Sequence, residues 1–358
     1  MKNSIDKVLV AMSGGVDSSV AAWVLQRDGF DCIGAMMKLY DGDDDCQSGC
    51  CSLADAEDAR AVAFRLNMPF YVFNFTDTFG EQVIDRFVAA YQSGRTPNPC
   101  IDCNRHMKFE RFLARAKEID CPFIATGHYA RVECDNGRRL LKKSVDTDKD
   151  QTYVLYAMTQ SQLAATKFPL GELTKLEVRR IAEEQEFINA AKRDSQDICF
   201  APDGNYAGFI EEYTGRKSNT GQFKDNDGNV LGRHKGIIHY TIGQRKGLGI
   251  SAPQPIYVSE LSAENNTVVV GPEDKLYTNS LTATDINLIA VDRLNAPMRV
   301  GAKIRYSQSE QPAKVWQLDD DTLKVEFDTP QRAITKGQAV VLYDGDIVVG
   351  GGTISDNR

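Results

Sequence analysis

The chain has 358 residues, of which 42% are hydrophobic and 26% charged, and its formal net charge is -8. This length and hydrophobic content are typical of an ordinary soluble protein with two or three domains, each able to bury its own core. The acidic balance argues against a protein that coats nucleic acid non-specifically, although it is compatible with a local basic surface.

No apolar run approaches the roughly 20 residues that a membrane helix requires. The N-terminal residues MKNSIDK lead directly into a predicted strand, without the hydrophobic region of a signal peptide. We therefore expect a cytoplasmic protein with no membrane partner.

The stretch from Lys7 to Ser19, KVLVAMSGGVDSS, joins a predicted buried strand to a glycine turn and then to a helix. The glycines let a phosphate approach the backbone, and amides at the helix N-terminus point towards it. The turn lacks the lysine and the spacing of the Walker A pattern, which argues against transfer of a γ-phosphate. SGGVDSS instead resembles the signature of the PP-loop ATP pyrophosphatases, which cleave ATP between the α- and β-phosphates and adenylate an oxygen of their substrate.

This resemblance implies an ATP site in the first strand, turn and helix. Asp17 would help to hold a magnesium ion, and Ser13 and Ser18 would contact pyrophosphate. The implied nucleotide-binding residues are Ala11, Met12, Ser13, Gly14, Gly15, Val16, Asp17 and Ser18. The alternative is an ordinary strand-turn-helix corner, in which the glycines only reverse the chain.

Predicted strands and helices alternate along the first half of the chain. After the first strand and helix they are a strand at 32–39, a helix at 52–66, a strand at 70–75, a helix at 76–92 and a strand at 122–126. Ser52 with Asp55, and Thr174 with Glu177, match the capping-box pattern of a helix start. The alternation predicts an α/β fold with a doubly wound parallel sheet, which binds ligands beyond the carboxyl ends of its strands. The Ser13 turn and the Gly127-His128 pair both follow such ends, so we expect them to share one crevice.

The second half has a different composition. Residues 214–250 form a loop-rich insert with frequent glycine and an excess of lysine and arginine. From about residue 281, short β-type runs separated by Asp and Gly turns predict a small antiparallel barrel. We therefore expect a catalytic domain at 1–205, a basic β-rich linker domain at 206–280 and a C-terminal β-barrel domain at 281–358.

The nine cysteines predict chemistry rather than a disulfide framework, because the count is odd and no export signal is present. Cys100 and Cys103 form a CxxC pair behind two prolines, and Cys199 lies far along the chain. A CxxC turn presents two thiols for a metal, for a redox pair or for lowering one thiol pKa. Residues 46, 50 and 51 are also cysteines, and both a redox relay and an accessory metal site fit them.

Seven motifs, in order along nearly the whole chain, closely resemble the bacterial and mitochondrial tRNA-specific 2-thiouridylases. They are SGGVDSS, GRTPNPCIDCNRHMKF, ATGHYA, KDQTYVLY, KRDSQDICF, YTIGQRKGLGI and YDGDIVVGGGTI. The resemblance implies that the C2 oxygen of the wobble uridine is replaced by sulfur in tRNAs for Lys, Glu and Gln. ATP would adenylate that oxygen, and a protein persulfide, supplied by a sulfur-relay protein or a cysteine desulfurase, would deliver the sulfur.

The same resemblance implies roles for individual residues. Cys103 matches the nucleophile and Cys199 the persulfide-bearing cysteine, and disulfide exchange during transfer would leave the two joined until a reductant arrives. Met37 and Gly127 match positions that line the adenosine. The implied tRNA-contacting positions are Asn98, Pro99 and Cys100 beside the target base, together with His128, Lys149, Asp150, Gln151, Arg305, Tyr306 and Gln338.

Cys100 departs from the pattern NPDxxCN of many family members, which carry aspartate at this position. The change removes an acid beside the nucleophile and creates a set of three thiols, Cys100, Cys103 and Cys199. Three thiolates could hold a [4Fe-4S] cluster whose remaining iron binds sulfide. From the residues alone, the persulfide route and the cluster route both stay open.

Two rival functions also remain. A PP-loop adenylating ligase acting on a small molecule would share SGGVDSS, but it needs neither the paired thiols nor the basic insert and barrel. A non-catalytic RNA-binding protein with a structural metal would leave Asp17 and the two glycines unexplained.

Overall fold

The computed structural model describes residues 6–40, 52–194 and 198–357, so that Cys46, Cys50 and Cys51 lie outside the described residues. The chain divides into two compact units. The first unit comprises Met1–Val83, Cys100–Pro202 and Asp346–Val348, and the second comprises Ile84–Pro99, Asp203–Gly345 and Val349–Arg358. None of the described helices is both long enough and apolar enough to cross a membrane.

Strands and helices alternate up to residue 79, as the sequence predicts, and a run of helices and then a run of strands follow. In chain order the elements are β1 (Lys7–Ala11), α1 (Val16–Arg27), β2 (Asp31–Lys38), α2 (Leu53–Arg65), β3 (Phe70–Asn74), α3 (Thr76–Phe79), α4 (Asp85–Gln92), α5 (Pro99–Asp102), α6 (Phe112–Glu118), β4 (Phe123–Ala125), β5 (Ala130–Asp135), β6 (Arg138–Lys143), α7 (Gln160–Ala164), β7 (Thr166–Lys167) and α8 (Lys175–Glu184).

The first unit is built on a five-stranded sheet with the order β3-β2-β1-β4-β7. Its neighbouring strands run parallel. Val8 and Val10 of β1 are fully buried in one core with Val20 and Val24 of α1 and Val178 of α8. A strand buried between layers of helices needs a continuous apolar run, which is the pattern that β1 shows. The predicted doubly wound α/β fold is confirmed.

Both predicted capping boxes are present. Ser52 and Asp55 exchange side-chain and backbone hydrogen bonds at the start of α2, and Thr174 and Glu177 do so at the start of α8. Each box satisfies amides that the first helical turn leaves without an intrahelical partner.

Two helical stretches, one of them predicted at 76–92 and the other not predicted, contain wide turns that the sequence pattern did not indicate. A π-helical segment, Gly80–Ile84, lies between α3 and α4, and a second, Cys103–Arg111, lies between α5 and α6. Such segments concentrate at functional sites. The second begins at the predicted nucleophile.

The second unit contains two all-β regions. Its remaining elements are α9 (Tyr206–Thr214), β8 (Gly221–Lys224), β9 (Val230–His234), β10 (Tyr257–Ser262), β11 (Thr267–Gly271), β12 (Tyr277–Leu288), β13 (Met298–Lys303), β14 (Gln311–Gln317), β15 (Leu323–Arg332), β16 (Ala339–Asp344) and β17 (Ile347–Asp356). Strands β8 to β11 form a sheet with the order β10-β11-β8-β9. The basic insert therefore contains strands as well as loops.

Strands β12 to β17 follow the order β12-β15-β14-β13-β16-β17, and an additional pairing of β12 with β17 closes the ring. Along β15, Leu323, Val325 and Phe327 are buried while Lys324 and Glu326 are exposed. This alternation with a period of two fills the inside of a closed barrel with apolar side chains. The predicted antiparallel barrel is confirmed.

Candidate active site in the first unit

The turn between β1 and α1 has the geometry of an anion cradle. Gly15 is the N-cap of α1, and no side chain caps that helix. Its first amides are therefore available to a ligand, and the helix dipole favours a negative charge there. The hydroxyls of Ser18 and Ser19 both donate to the Gly15 carbonyl at 3.0 Å, which fixes the turn.

Two glycines are required by close backbone contacts. Gly14 has a φ of 74°, and a Cβ atom on it would lie 2.3 Å from the carbonyl oxygen of Asp55. A Cβ atom on Gly127 would lie 2.8 Å from the backbone of Asp17 and of Ser18. The loop after β4 thus packs directly on the first turn of α1, so Gly127 lies next to the residues that follow the Ser13 turn.

Asp17 is already engaged by a cation. Lys175 Nζ lies 2.7 Å from Asp17 Oδ1 and 2.9 Å from Oδ2, and the Tyr129 hydroxyl donates to Oδ1 at 2.9 Å. Burial raises the pKa of Tyr129, with Asp17 adding to the effect, so its hydroxyl keeps its proton and acts as a donor. A carboxylate has about four lone-pair positions, so one position remains for a further cation.

That remaining position fits the predicted magnesium role. Magnesium commonly takes one or two protein carboxylates and completes its shell with water and phosphate oxygens. A single oxygen of Asp17 beside the cradle is compatible with such a site.

Two residues that the sequence interpretation missed stabilise the cradle through hydrogen bonds. Asn189 Nδ2 donates to the Gly14 carbonyl at 2.9 Å and to Ser19 Oγ at 3.0 Å. Lys192 Nζ lies 3.2 Å from the same carbonyl and 2.6 Å from carboxylate oxygens of both Asp55 and Asp58. Lys192 thereby links the turn between β1 and α1 to the first turns of α2. Lys192 begins the motif KRDSQDICF, whereas Asn189 lies in none of the seven motifs. No local pattern indicates the partners of either residue, because those partners lie more than a hundred positions away.

The predicted sulfur-handling cysteines lie in the first unit. Cys103 is the first residue of the π-helical segment and is partly exposed, as is Cys199, whereas Cys100 in α5 is exposed. Phe200, next to Cys199, is buried, and its ring lies 6.0 Å from that of Phe79.

Asn104, which follows Cys103, is a further residue that the sequence interpretation missed. Its side chain is buried, and Nδ2 donates to the Val154 carbonyl at 3.0 Å. Within the described part of the chain, its Oδ1 atom has no hydrogen-bond partner.

Within residues 6–40, 52–194 and 198–357, no three His, Cys, Asp or Glu side chains are grouped as a metal site. Cys100, Cys103 and Cys199 all belong to these described ranges. The three-thiolate arrangement expected for an iron-sulfur cluster is therefore not formed in this structure.

The predicted tRNA-contacting residues of the first unit take part in internal contacts. His128 is buried, with Nδ1 2.7 Å from Thr126 Oγ1, and burial together with the nearby Lys108 holds the pKa of His128 well below its usual value. Lys149 Nζ lies 2.9 Å from Asp194. Gln151 Oε1 accepts from the Tyr129 amide at 2.9 Å.

Asp150, between Lys149 and Gln151, is also held by internal hydrogen bonds. It accepts from the Ser144 amide at 3.2 Å and from the Thr152 hydroxyl at 2.6 Å. Met37, predicted to line the adenosine, lies near the carboxyl end of β2, the strand beside β1.

The other predicted tRNA-contacting residues lie in the second unit, except Cys100. Gln338 Nε2 donates to the Thr96 carbonyl at 2.8 Å, and the Thr96 amide donates to the Lys336 carbonyl at 2.9 Å. The segment that leads to Asn98 and Pro99 is thus held against the barrel. Arg305 donates to the carbonyls of Arg332 and Ala333. Tyr306 exposes its ring.

Three family models match consecutive parts of the chain. A tRNA methyl transferase HUP domain matches residues 6–203, a tRNA methyl transferase PRC-barrel domain matches residues 207–272, and an aminomethyltransferase beta-barrel domain matches residues 278–354.

Curated relatives match over almost the full length. The tRNA-specific 2-thiouridylase MnmA of Clostridioides difficile is 52% identical over 352 residues, which are 97% of this chain and 98% of that protein. The protein of the same name from Acetivibrio thermocellus is 53% identical, with 97% of this chain and 99% of that protein covered. The one from Halothermothrix orenii is 50% identical, with 99% and 100% covered. Because identity of this level extends over both units, the chain belongs to the tRNA-specific 2-thiouridylase family.

Proposed function

We propose that this chain is an ATP-dependent sulfurtransferase that replaces the C2 oxygen of the wobble uridine of tRNA by sulfur. The observation that carries the proposal is the start of α1, which no side chain caps and which Gly127 contacts closely. It lies in the same unit as Cys103 and Cys199. Membership of the 2-thiouridylase family supports it. A small-molecule adenylating ligase would use the same cradle, but that reaction requires neither the thiols nor the second unit.

Activation comes first in the proposed reaction. The turn from Ser13 to Ser18 binds the phosphates of ATP through backbone amides and hydroxyls. Asp17 is the residue that would hold magnesium, which when bound neutralises phosphate charge. The uridine C2 oxygen attacks the α-phosphorus, the bond to the β-phosphate oxygen breaks, and pyrophosphate leaves. The adenylated oxygen is then a leaving group.

Sulfur transfer follows through the two thiols. The terminal sulfur of a Cys199 persulfide attacks C2, and AMP departs with the oxygen. The Cys103 thiolate then attacks Cys199 Sγ and breaks the S–S bond, so that the sulfur stays on C2 as a thiocarbonyl. The transferred sulfur is reduced, the two cysteines are oxidised to a disulfide, and an external thiol reductant restores them.

A second route would use a [4Fe-4S] cluster on Cys100, Cys103 and Cys199. We favour the persulfide route, because these thiols are not grouped as a metal site in the described residues. Anaerobic purification and reconstitution, followed by iron and labile-sulfide assays, separate the two. The persulfide route predicts full thiolation without either element, and a requirement for both would overturn it.

The remaining assignments are also proposals. The substrates are tRNAs for Lys, Glu and Gln, the donor is a sulfur-relay protein or a cysteine desulfurase, and the reaction takes place in the cytoplasm. The domains at 206–280 and 281–358 hold the tRNA, in part through Arg305, Tyr306 and Gln338, while the domain at 1–205 performs the chemistry. RNA recognition of this kind extrudes the target base from the anticodon loop into the crevice.

The first test is the 2-thiouridine content of bulk tRNA from a strain depleted of this protein, measured by mass spectrometry. We expect the nucleoside to fall with the protein and to return when the gene is restored. An undiminished level would refute the proposed function.

Substitution of Cys199 separates the two half-reactions. We expect Cys199→Ser to abolish thiolation while tRNA-dependent release of pyrophosphate continues, because activation precedes sulfur transfer. Cys134→Ser is the matched control, since Cys134 is an exposed thiol on β5. Loss of pyrophosphate release in Cys199→Ser alone would instead point to a structural role.

A further inference from the structure

The peptide that joins Gly14 and Gly15, in the turn between β1 and α1, has little orientation preference of its own. The φ of Gly14 is 74° and that of Gly15 is -87°. Rotation of this peptide by about half a turn would bring the φ of Gly15 to a positive value, which glycine adopts readily because it has no Cβ atom. Contacts from elsewhere in the chain must therefore decide which way the peptide faces.

Asn189 supplies such a contact, because it binds the carbonyl of this peptide. Its Nδ2 atom donates to the Gly14 carbonyl at 2.9 Å and to Ser19 Oγ at 3.0 Å, and the residue is only 3% exposed. A carbonyl can only accept, so the nitrogen of the Asn189 amide, and not its oxygen, must face Gly14.

The other half of the Asn189 amide makes no such contribution. Within the described residues, its Oδ1 atom is buried and has no hydrogen-bond partner. A buried acceptor without a partner lowers stability, and an apolar side chain of similar size would fill the same space without that cost. Packing alone therefore does not account for an asparagine at this position, whereas the need for a donor does.

The neighbouring peptide has donors that do not depend on Asn189. The hydroxyls of Ser18 and Ser19 both donate to the Gly15 carbonyl at 3.0 Å. Since Ser19 Oγ has one proton and uses it there, it can accept from Asn189. Loss of Asn189 would thus leave the Gly15 carbonyl held and would mainly release the Gly14 carbonyl.

Lys192 also contacts the Gly14 carbonyl, but less closely. Its Nζ atom lies 3.2 Å from that oxygen and 2.6 Å from carboxylate oxygens of both Asp55 and Asp58. The two carboxylates therefore determine where the ammonium lies. The shorter hydrogen bond from Asn189 has the larger part in directing the Gly14 carbonyl.

The direction of this carbonyl fixes the direction of the amide on the opposite side of the peptide. In a trans peptide the C=O and N–H bonds point in opposite directions, so the Gly15 N–H points away from the Asn189 side chain. Gly15 is the N-cap of α1, whose first amides attract anions. The reversed peptide would replace this N–H by a carbonyl oxygen, which repels a phosphate.

We propose that Asn189 is a positioning residue for the phosphates of ATP, which holds the Gly14–Gly15 peptide with its N–H, and not its carbonyl, turned towards them. This role rests on the proposed function and deepens it. Without the Asn189 donor both orientations are populated, and the apparent affinity for ATP falls in proportion to the competent fraction. Saturating ATP still selects that fraction, so the maximal rate of activation is retained.

Asn189→Leu tests the donor, because it removes the amide and keeps the side chain at a similar size. Two ordinary hydrogen bonds bias an orientation by roughly tenfold or more, so we expect the Kd for ATP with magnesium, and the Kd for pyrophosphate, to rise by about tenfold in titration calorimetry. In tRNA-dependent pyrophosphate release, the KM for ATP should rise by the same factor, with kcat within about twofold. An unchanged Kd for ATP would overturn the inference.

Adenosine separates this role from general damage to the fold, because it carries no phosphate. We expect the variant to bind adenosine within about twofold of the unchanged protein, as measured by ligand-observed NMR. A parallel loss of adenosine and ATP affinity, or a fall in kcat as large as the rise in KM, would show a structural role and overturn the inference.

Asn189→Ala addresses the risk that leucine does not fit. The smaller side chain also lacks the donor, and it cannot crowd the turn. We expect the same loss of ATP affinity as in Asn189→Leu, because both variants release the Gly14 carbonyl. An alanine variant that binds ATP as tightly as the unchanged protein would show that the donor is dispensable.

Asn357→Leu is the matched control. Asn357 Nδ2 also donates to a backbone carbonyl, that of Ile334 at 2.9 Å, but it lies in the second unit. This change should leave the Kd for ATP unchanged. A rise as large as that of Asn189→Leu would contradict a specific role for Asn189.

The outcomes for the inference and for the proposed function differ. Binding of ATP requires no tRNA, so the Kd values test Asn189 even if depletion of the protein leaves 2-thiouridine undiminished, a result that would refute only the proposed function. Equal ATP affinity of the unchanged protein and both Asn189 variants would refute only the inference. An unchanged protein that binds neither ATP nor pyrophosphate would refute both.

Discussion

The cysteines of this protein differ in reactivity mainly because they differ in burial. Cys32 and Cys121 are buried, whereas Cys100 and Cys134 are exposed. Burial raises the pKa of Cys32 to about 12, with further contributions from Asp31 and Cys121. Burial also raises the pKa of Cys121, although Lys7 opposes the effect. Because the thiolate is the reactive form, these two residues are expected to be inert.

Alkylation should follow this division. At pH 8 the thiolate fraction of a cysteine with a pKa near 12 is about one in ten thousand. We therefore predict that iodoacetamide modifies Cys100 and Cys134 in the folded protein, while Cys32 and Cys121 react only after unfolding. Peptide mass spectrometry over time measures each rate, and modification of native Cys32 as fast as Cys134 would be inconsistent with this account.

The contact between the β1–α1 turn and α2 decides the shape of the cradle. Gly14 has a left-handed conformation and has the Asp55 backbone against the place where a side chain would begin. Lys192 and Asn189 both donate to its carbonyl. The turn is therefore fixed by a close backbone contact and by hydrogen bonds from two distant residues.

Gly14→Ala should be far more harmful than an alanine at another glycine of the same conformation. The left-handed backbone costs about 1–2 kcal/mol, and overpacking against Asp55 adds about 1–3 kcal/mol, so we expect a loss of about 2–5 kcal/mol together with loss of ATP binding. Gly137 in the β5–β6 turn has a φ of 85° and nothing within 4 Å of the added Cβ, so Gly137→Ala should cost only the first amount. Denaturant unfolding compares the two, and equal losses would show that the contact with Asp55 is not limiting.

For the whole molecule, acid stability is governed by buried histidines as well as by carboxylates. Burial lowers the pKa of His128 in the first unit and of His234 in the second. Both are neutral in the folded chain, while an unfolded histidine takes up a proton below about pH 6.5. The unfolded state then binds more protons than the native state, so stability falls as the pH drops below that value. Carboxylates with a lowered pKa, such as Asp194, act in a separate window, because their stabilisation is lost only below about pH 4.

Calorimetry between pH 7.5 and 5.5 tests the histidine contribution. We predict that unfolding temperatures fall over this range and that a His128→Gln, His234→Gln double variant shows a shallower fall, whatever its stability at pH 7.5. An identical slope in the variant would mean that other groups control this window.

The α/β class, the closed β-region near the C-terminus, the capping boxes and the glycine turn with Asp17 can be predicted from the sequence, because each depends on neighbouring residues or on a short period along the chain. The surroundings of that turn cannot, because they form only when the chain folds. Lys175 reaches Asp17 across 158 positions and Asn189 reaches Gly14 across 175, and no local pattern joins such partners. The same holds for the pairing of β12 with β17 and for the burial of His128, since burial and pairing arise from packing between distant segments. The sequence thus names the chemical groups, and folding decides which of them meet.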